Sequence, residues 1–330
     1  MSSKKYRRRY VLLGFLLVFL VSSCGPTAPD KAELRVNGAA LPGQLLYARA
    51  GDLWSWRGDA AAQLTQQGNL TQPALSPDGT QIAAVRVGPS YSDIVLLPVS
   101  GGEPRAITDG DTTAAPNSFE RAQGTTWSRY PVFATDDRIL FSSQAGPASG
   151  EPAVDYNMTL YETTAVEGGR QNQLYAADEG NVGRVVVSAS GTVVLAFVPD
   201  SDALPQLLRY RDGSTTSIEG VPDNTYDPAF TPDGGWLLFA ARDGETTDIY
   251  AVPSGGGSPI RLTTHGSARA PAVSPDGKWL AFLALSPATS SFDLHIAPLT
   301  ITATSIRQGE IRALTTGQQL DADGGLSWGN

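Results

Sequence analysis

A phrase of about 43 residues recurs along this chain, and a repeat of that length constrains the fold more than any other feature. The clearest copy runs from Tyr226 to Thr263. It reads Tyr-Asp-Pro-Ala-Phe-Thr-Pro-Asp-Gly-Gly, then Trp-Leu-Leu-Phe-Ala-Ala-Arg, Asp-Ile-Tyr-Ala-Val-Pro and Pro-Ile-Arg-Leu-Thr. Each apolar run is too short for a globular helix and rich in β-branched and aromatic residues, so each is a strand. The Thr231-Pro232-Asp233-Gly234 turn follows from its chemistry. Proline presets φ, aspartate bonds back to nearby backbone N–H groups, and glycine accepts a positive φ. The turn returns as Ser274-Pro275-Asp276-Gly277 and Ser76-Pro77-Asp78-Gly79. Degraded copies stand at Val185–Gly191 and Pro131–Asp137. Four strands per period of this length describe one blade of a β-propeller.

Six blades are expected. The first begins with Leu45–Ala50 and Leu53–Trp56 and ends near Gln63-Leu64-Thr65. It has no opening strand of its own. Gly325–Asn330 reads as an opening phrase cut off before its turn, so the two termini are expected to pair in one blade and close the ring. The others start at Pro73, Tyr130, Val185, Tyr226 and Ala270. Trp236, Leu238, Trp279, Leu280 and Phe282 are read as packing between sheets. The fold class is thus an all-β, six-bladed β-propeller over residues 44–330, and the 35 glycines and 23 prolines suit so many turns.

The N-terminus is a different object. Lys4, Lys5, Arg7, Arg8 and Arg9 precede the apolar run Val11–Val21, which is short for a bilayer span. Val21-Ser22-Ser23-Cys24 follows, and it resembles a bacterial lipobox. Residues 1–23 are therefore expected to be a lipoprotein signal, Cys24 the lipidated residue, and 24–43 a flexible tether. Cys24 is the sole cysteine, so no disulfide can form within the chain. Without the signal's five basic residues, 19 basic residues face 33 acidic ones, a net charge of −14. Such a chain is a poor nucleic-acid binder. The expected location is the bacterial cell envelope, anchored through the lipid.

The Ser-Pro-Asp-Gly turns, with Asp248–Pro253 and Arg261–Gly266, resemble the propeller repeats of the TolB family, which are similar to WD-repeat blades. The resemblance covers about residues 44–330 and implies the fold more than the activity. The stretch between Cys24 and Leu45 leaves no room for the smaller domain that precedes the propeller in TolB.

No catalytic group emerges. Gly325-Leu326-Ser327-Trp328-Gly329 matches the nucleophile-elbow pattern, but no helix or later histidine follows it. His265 and His295 have no zinc-ligand spacing. The chain is therefore expected to be a non-catalytic, monomeric scaffold that binds a protein of the cell envelope, without a cofactor. The alternative is a propeller that binds a carbohydrate or small ligand at its axial mouth, with or without enzymatic action on it. Insertions at 109–129 and 142–157 fall on one face of the ring, where binding concentrates. Phe119, Glu120, Arg121 and Trp127 are the candidate anchor, with His265 and Arg269 at the mouth. Asp109, Asp111, Asp223, Asp321 and Asp323 are candidate calcium ligands, since carboxylates gathered there would supply the oxygens that ion takes.

Overall fold

The structure, a computed structural model, describes residues 40–144, 157–176, 179–200 and 202–330. Cys24 and the leader lie outside the described residues, as does most of the 142–157 insertion. Among the described residues no helix is long and apolar enough to cross a membrane.

Six antiparallel sheets make the ring. The first blade holds β1 (Leu41–Arg49), β2 (Asp52–Gly58) and β3 (Ala60–Gln63). The second holds β4 (Leu70–Leu75), β5 (Gln81–Val87), β6 (Ser92–Pro98) and β7 (Arg105–Ala106). Helix α1 (Phe119–Gly124) precedes the third, which is β8 (Ser128–Thr135), β9 (Arg138–Gln144), β10 (Met158–Thr164) and β11 (Asn172–Tyr175). The fourth is β12 (Gly180–Val187), β13 (Val193–Pro199), β14 (Gln206–Arg211) and β15 (Ser214–Ser217). The fifth is β16 (Thr225–Phe230), β17 (Trp236–Asp243), β18 (Thr246–Pro253) and β19 (Ile260–Arg261). The sixth is β20 (Ala268–Val273), β21 (Trp279–Ser286) and β22 (Ser291–Ile301), whose outer edge is split between β23 (Ile306–Gln308) and β24 (Arg312–Ala313).

The last strand, β25 (Leu326–Gly329), returns to the first blade and pairs with β1, Leu45 opposite Trp328. The Trp328 indole N–H donates to the Pro42 carbonyl at 2.8 Å. The termini therefore close the ring as expected. One boundary moves: β1 begins at Leu41 and Leu41 is buried, so the propeller takes in residues assigned to the tether. The pairing of Gln44 with Gly329 and the packing of Leu41 in the core extend the strand past the last obvious apolar run.

The strands are continuous apolar runs because both faces are buried. Side chains alternate across a strand. In β5, Ile82 and Ala84 pack toward the first blade, while Ala83 and Val85 pack toward the third. The six interblade clusters follow the same rule. Trp236, Leu238, Leu280 and Phe282 share one of them, and Trp279 packs against its neighbour. Each fully buried Leu, Ile or Phe contributes about 1.5–3 kcal/mol.

A polar clip recurs on four blades. Asp52, Asp93, Asp248 and Asp293 stand at the start of a third strand, and each accepts from a threonine hydroxyl: Thr65, Thr108, Thr263 and Thr315. The same carboxylates accept backbone N–H groups of the loop into the next blade, such as Gly110 at 2.7 Å and His265 at 2.8 Å. The clip satisfies donors that this buried bend would otherwise orphan.

Candidate axial mouth and loop face

The inner strands begin on the face that carries the long loops and end at the Ser-Pro-Asp-Gly turns. Near its start, each of β4, β8, β16 and β20 carries a bulge made of a left-handed residue followed by proline: Gln72, Tyr130, Asp227 and Ala270, with φ between 51° and 54°. A bulge re-aims a side chain. Here two of them stitch one blade to the next. Gln72 accepts the Tyr130 N–H at 2.7 Å, and Asp227 accepts the Ala270 N–H at 3.2 Å. β12 is bulged in register as well, between Val182 and Val185, and places Arg184 there.

These devices build a charged plug across the axis. Arg184 leaves the fourth blade and reaches the approach to β25, on the opposite side of the ring. Its Nη2 donates to the Asp323 carbonyl at 2.9 Å, and its guanidinium lies over the Tyr130 ring at 5.1 Å. Gly325, at φ +69°, leaves room for it, because a Cβ there would stand 2.5 Å from Arg184 Nη1. Asp227 is buried between two arginines, with Arg184 Nε 3.4 Å from one oxygen and Arg269 Nε 2.9 Å from the other. Arg269 also reaches Asp323 at 3.0 Å and covers the Tyr226 ring at 5.4 Å. Burial opposes the charge on Arg269, but the Asp227 and Asp323 carboxylates outweigh it and hold its pKa above the ordinary arginine value. Turnward of the plug lies an axial cavity of about 260 Å³, walled by Pro73, Pro131, Val185, Pro228, Pro271 and Leu326 among others.

The candidate residues separate into groups. Arg269 and Asp323 meet at the mouth. Asp321 is next to them, accepting from Thr71 at 2.6 Å and from the Asp323 N–H at 3.1 Å. Asp111 is elsewhere, paired with Arg121 at 2.6 Å, and Asp109 and Asp223 are exposed. The expected ring of calcium ligands is not assembled: among the described residues no three His, Cys, Asp or Glu converge on one point. Of the five aspartates only Asp321 and Asp323 lie at the mouth, and Asp323 is paired with Arg269. His265 also leaves the mouth. Its backbone is tied to Asp248, and its ring stands edge-on to His295 at 4.8 Å, over the sixth blade.

The 109–129 insertion is more ordered than a plain loop. Ser118 caps α1 by accepting the Arg121 N–H at 3.1 Å. The Arg121 side chain is turned inward to Ser90, Asp111 and the carbonyls of Thr112 and Ala114. It therefore braces the loop, where an outward-facing anchor was expected. Trp127 is half-buried under Arg129, whereas Glu120 is exposed and Phe119 is 65% exposed. The elbow-like Ser327 is structural too: its hydroxyl accepts the Leu75 N–H at 3.0 Å.

Arg184, Asp227, Tyr130 and Gln72 were missed by the reading of loops. A usable signal existed, since a non-glycine residue precedes proline at the same point of four blades. The aspartate and threonine of the clip likewise recur at matching points of four repeats.

The arrangement defines a six-bladed β-propeller closed by its own termini, with a plugged axis and loops gathered on one face. No family model and no curated protein matches the chain. Solved structures share the fold. TolB from Acinetobacter baumannii is 19% identical with a TM-score of 0.59, over 83% of this chain and 66% of that one. This chain thus spans about two thirds of that protein. A protein described as TolB from Agrobacterium tumefaciens is 14% identical with a TM-score of 0.58, over 84% and 89%. The propeller of a nidogen–laminin complex is 11% identical with a TM-score of 0.58, over 86% and 97%.

Proposed function

We propose that this chain is a non-catalytic binding scaffold of the bacterial cell envelope, held to a membrane through lipid on Cys24, and that it takes a protein partner on its loop-bearing face. The observation that carries the reading is the braced 109–127 platform. Arg121 fixes the loop from inside, and Phe119 stands out from it with most of its ring in solvent. A large exposed aromatic on a rigid mount is the usual form of an interface anchor.

The course of the chain supports the same orientation. β1 runs from the turn-bearing face toward the loop-bearing one, so Ala40 enters on the side opposite Phe119. The point where the described chain enters is thus separate from the loop-bearing face. TolB and nidogen propellers are related in fold, and the nidogen one is seen with a protein partner.

The test uses the full chain in detergent, cross-linked to envelope proteins. Phe119→Ala should lose the partner. A variant of the opposite face, Lys278→Ala, should keep it. Equal capture by both variants overturns the proposal. Replacing Cys24 with alanine should release the protein from membranes; continued membrane association overturns the anchor.

A further inference from the structure

We propose that a small polar recess at the seam of the first and sixth blades binds the ring of a neutral sugar. It lies on the loop-bearing face, between the β1–β2 hairpin and the loop that leads from β24 to β25. It shares no residue with the axial plug or with α1, and the inference does not rest on Phe119. Its volume is about 210 Å³, below the ~300–1,000 Å³ of a drug-sized site and suited to one monosaccharide.

One wall is an arginine held in place from behind. Arg49 is half-buried, its guanidinium lies over the buried Trp54 ring at 5.3 Å, and its Nε donates to the Gln318 carbonyl at 2.9 Å. Among the described residues no carboxylate pairs with it, and both its Nη groups are left without an acceptor. Asp52 shares the recess, but its oxygens are engaged by Thr65, Gly68 and Gln63. Trp54 is thus a mount that holds the guanidinium flat, with the outer edge of the guanidinium turned to the recess.

The other wall is built of glutamines. Gln63 Nε2 donates to Asp52 at 3.2 Å and to the Thr65 carbonyl at 2.9 Å, and Gln318 Nε2 donates to the Thr316 carbonyl at 3.4 Å. Those bonds leave both amide oxygens as open acceptors. The Gln319 side chain is exposed and makes no hydrogen bond within the described residues. Its backbone is left-handed, with φ at 53°. A residue with a long side chain is disfavoured there, and glycine or asparagine would serve the turn better. The chain keeps a glutamine at a strained position whose amide lines the recess and has no structural partner.

This mixture of groups selects the ligand. The Arg49 Nη groups and Gln319 Nε2 donate, whereas the amide oxygens of Gln63, Gln318 and Gln319 accept. Sugar hydroxyls do both, so neighbouring hydroxyls can bridge a donor and an acceptor of the wall. An anion only accepts; it would leave the amide oxygens unmatched and meet the charge of Asp52. A cation would meet Arg49.

The test is saturation-transfer NMR on the full chain in a polyoxyethylene detergent, which carries no sugar. The ligands are the methyl glycosides of glucose, galactose and mannose, N-acetylglucosamine, and methyl glucuronide as the charged counterpart of methyl glucoside. At least one neutral sugar should bind with a Kd of about 1–10 mM. Arg49→Gln should abolish binding. Because Arg49 also ties the loop to the hairpin, Gln319→Gly is the deciding variant. Glycine takes the left-handed φ freely, so the loop keeps its course, and loss of the amide should weaken binding by about five-fold or more. Phe119→Ala should bind the sugars as the wild type does, so failure here and failure of the protein-partner reading are told apart. No binding of any neutral sugar at about 50 mM overturns the proposal. Binding unchanged by Gln319→Gly, or methyl glucuronide binding more tightly than methyl glucoside, does so too.

Discussion

Replacing Asp248 with alanine should be among the most damaging single changes in the ring, although the residue lies away from the axial mouth. Its side chain is 1% exposed. It accepts from the Thr263 hydroxyl at 2.7 Å, the His265 N–H at 2.8 Å, the Gly266 N–H at 3.2 Å and Arg261 at 2.5 Å. The Thr263 oxygen in turn accepts the Ile249 N–H at 2.9 Å. Removing the carboxylate orphans two backbone donors and one hydroxyl where water has little access, and each orphan costs about 1–2 kcal/mol. The Arg261 contact is partly solvated and adds little. The total is about 3–6 kcal/mol. At roughly 2 °C per kcal/mol for a ring of this size, the melting temperature should fall by about 6–12 °C. Asp276→Ala is the control. That carboxylate also bonds a hydroxyl and a backbone N–H, Ser274 at 2.7 Å and Lys278 at 3.1 Å, but in an exposed turn where water replaces it. It should cost about 1 kcal/mol. Differential scanning fluorimetry of both variants decides the matter. A melting temperature for Asp248→Ala no lower than that of Asp276→Ala would refute the claim that the buried clip holds the blades.

Four further outcomes are expected. Burial depresses the His295 pKa, with the nearby His265 adding to the shift, so the unfolded chain binds more protons below pH ~6.5. Stability should be full above that pH, fall as the pH drops from there toward the folded value, and then level off; His295→Phe should remove this component from melting curves taken between pH 7.5 and 5. The Asp233 pKa is lowered chiefly by the Thr231 hydroxyl and then by the Gly235 N–H, so Thr231→Ala should move its carboxyl upward in an NMR titration. Gly43 sits at φ +67° with the Gly329 carbonyl 2.0 Å from any added Cβ, so Gly43→Ala should displace the closing strand and cost at least ~1–2 kcal/mol in denaturant melts. Arg121→Ala should free the 109–127 segment, read as faster proteolytic nicking there, with the melting temperature of the ring little changed.

The blade period and its turn chemistry were legible in the residues themselves, because each blade repeats the same local problem. An Asp-Gly turn must reverse the chain, and an apolar run must bury both faces between neighbours. The number of blades and the pairing of Leu326–Gly329 with β1 followed from the truncated last phrase, since a propeller with an open edge would leave a strand's hydrogen bonds unmet. The mouth was not legible in the same way. Which charges meet there depends on residues from the third, fourth, fifth, sixth and first blades converging on one axis, and spacing along the chain carries no record of that convergence. Asp111 and Asp323 read alike as acidic loop residues, yet one is tied to Arg121 and the other to Arg269. Arg184 reads as an odd charge in a strand. Only the closed ring, which brings Gly325 to it across the axis and Asp227 from the neighbouring blade, makes it the bolt of the channel.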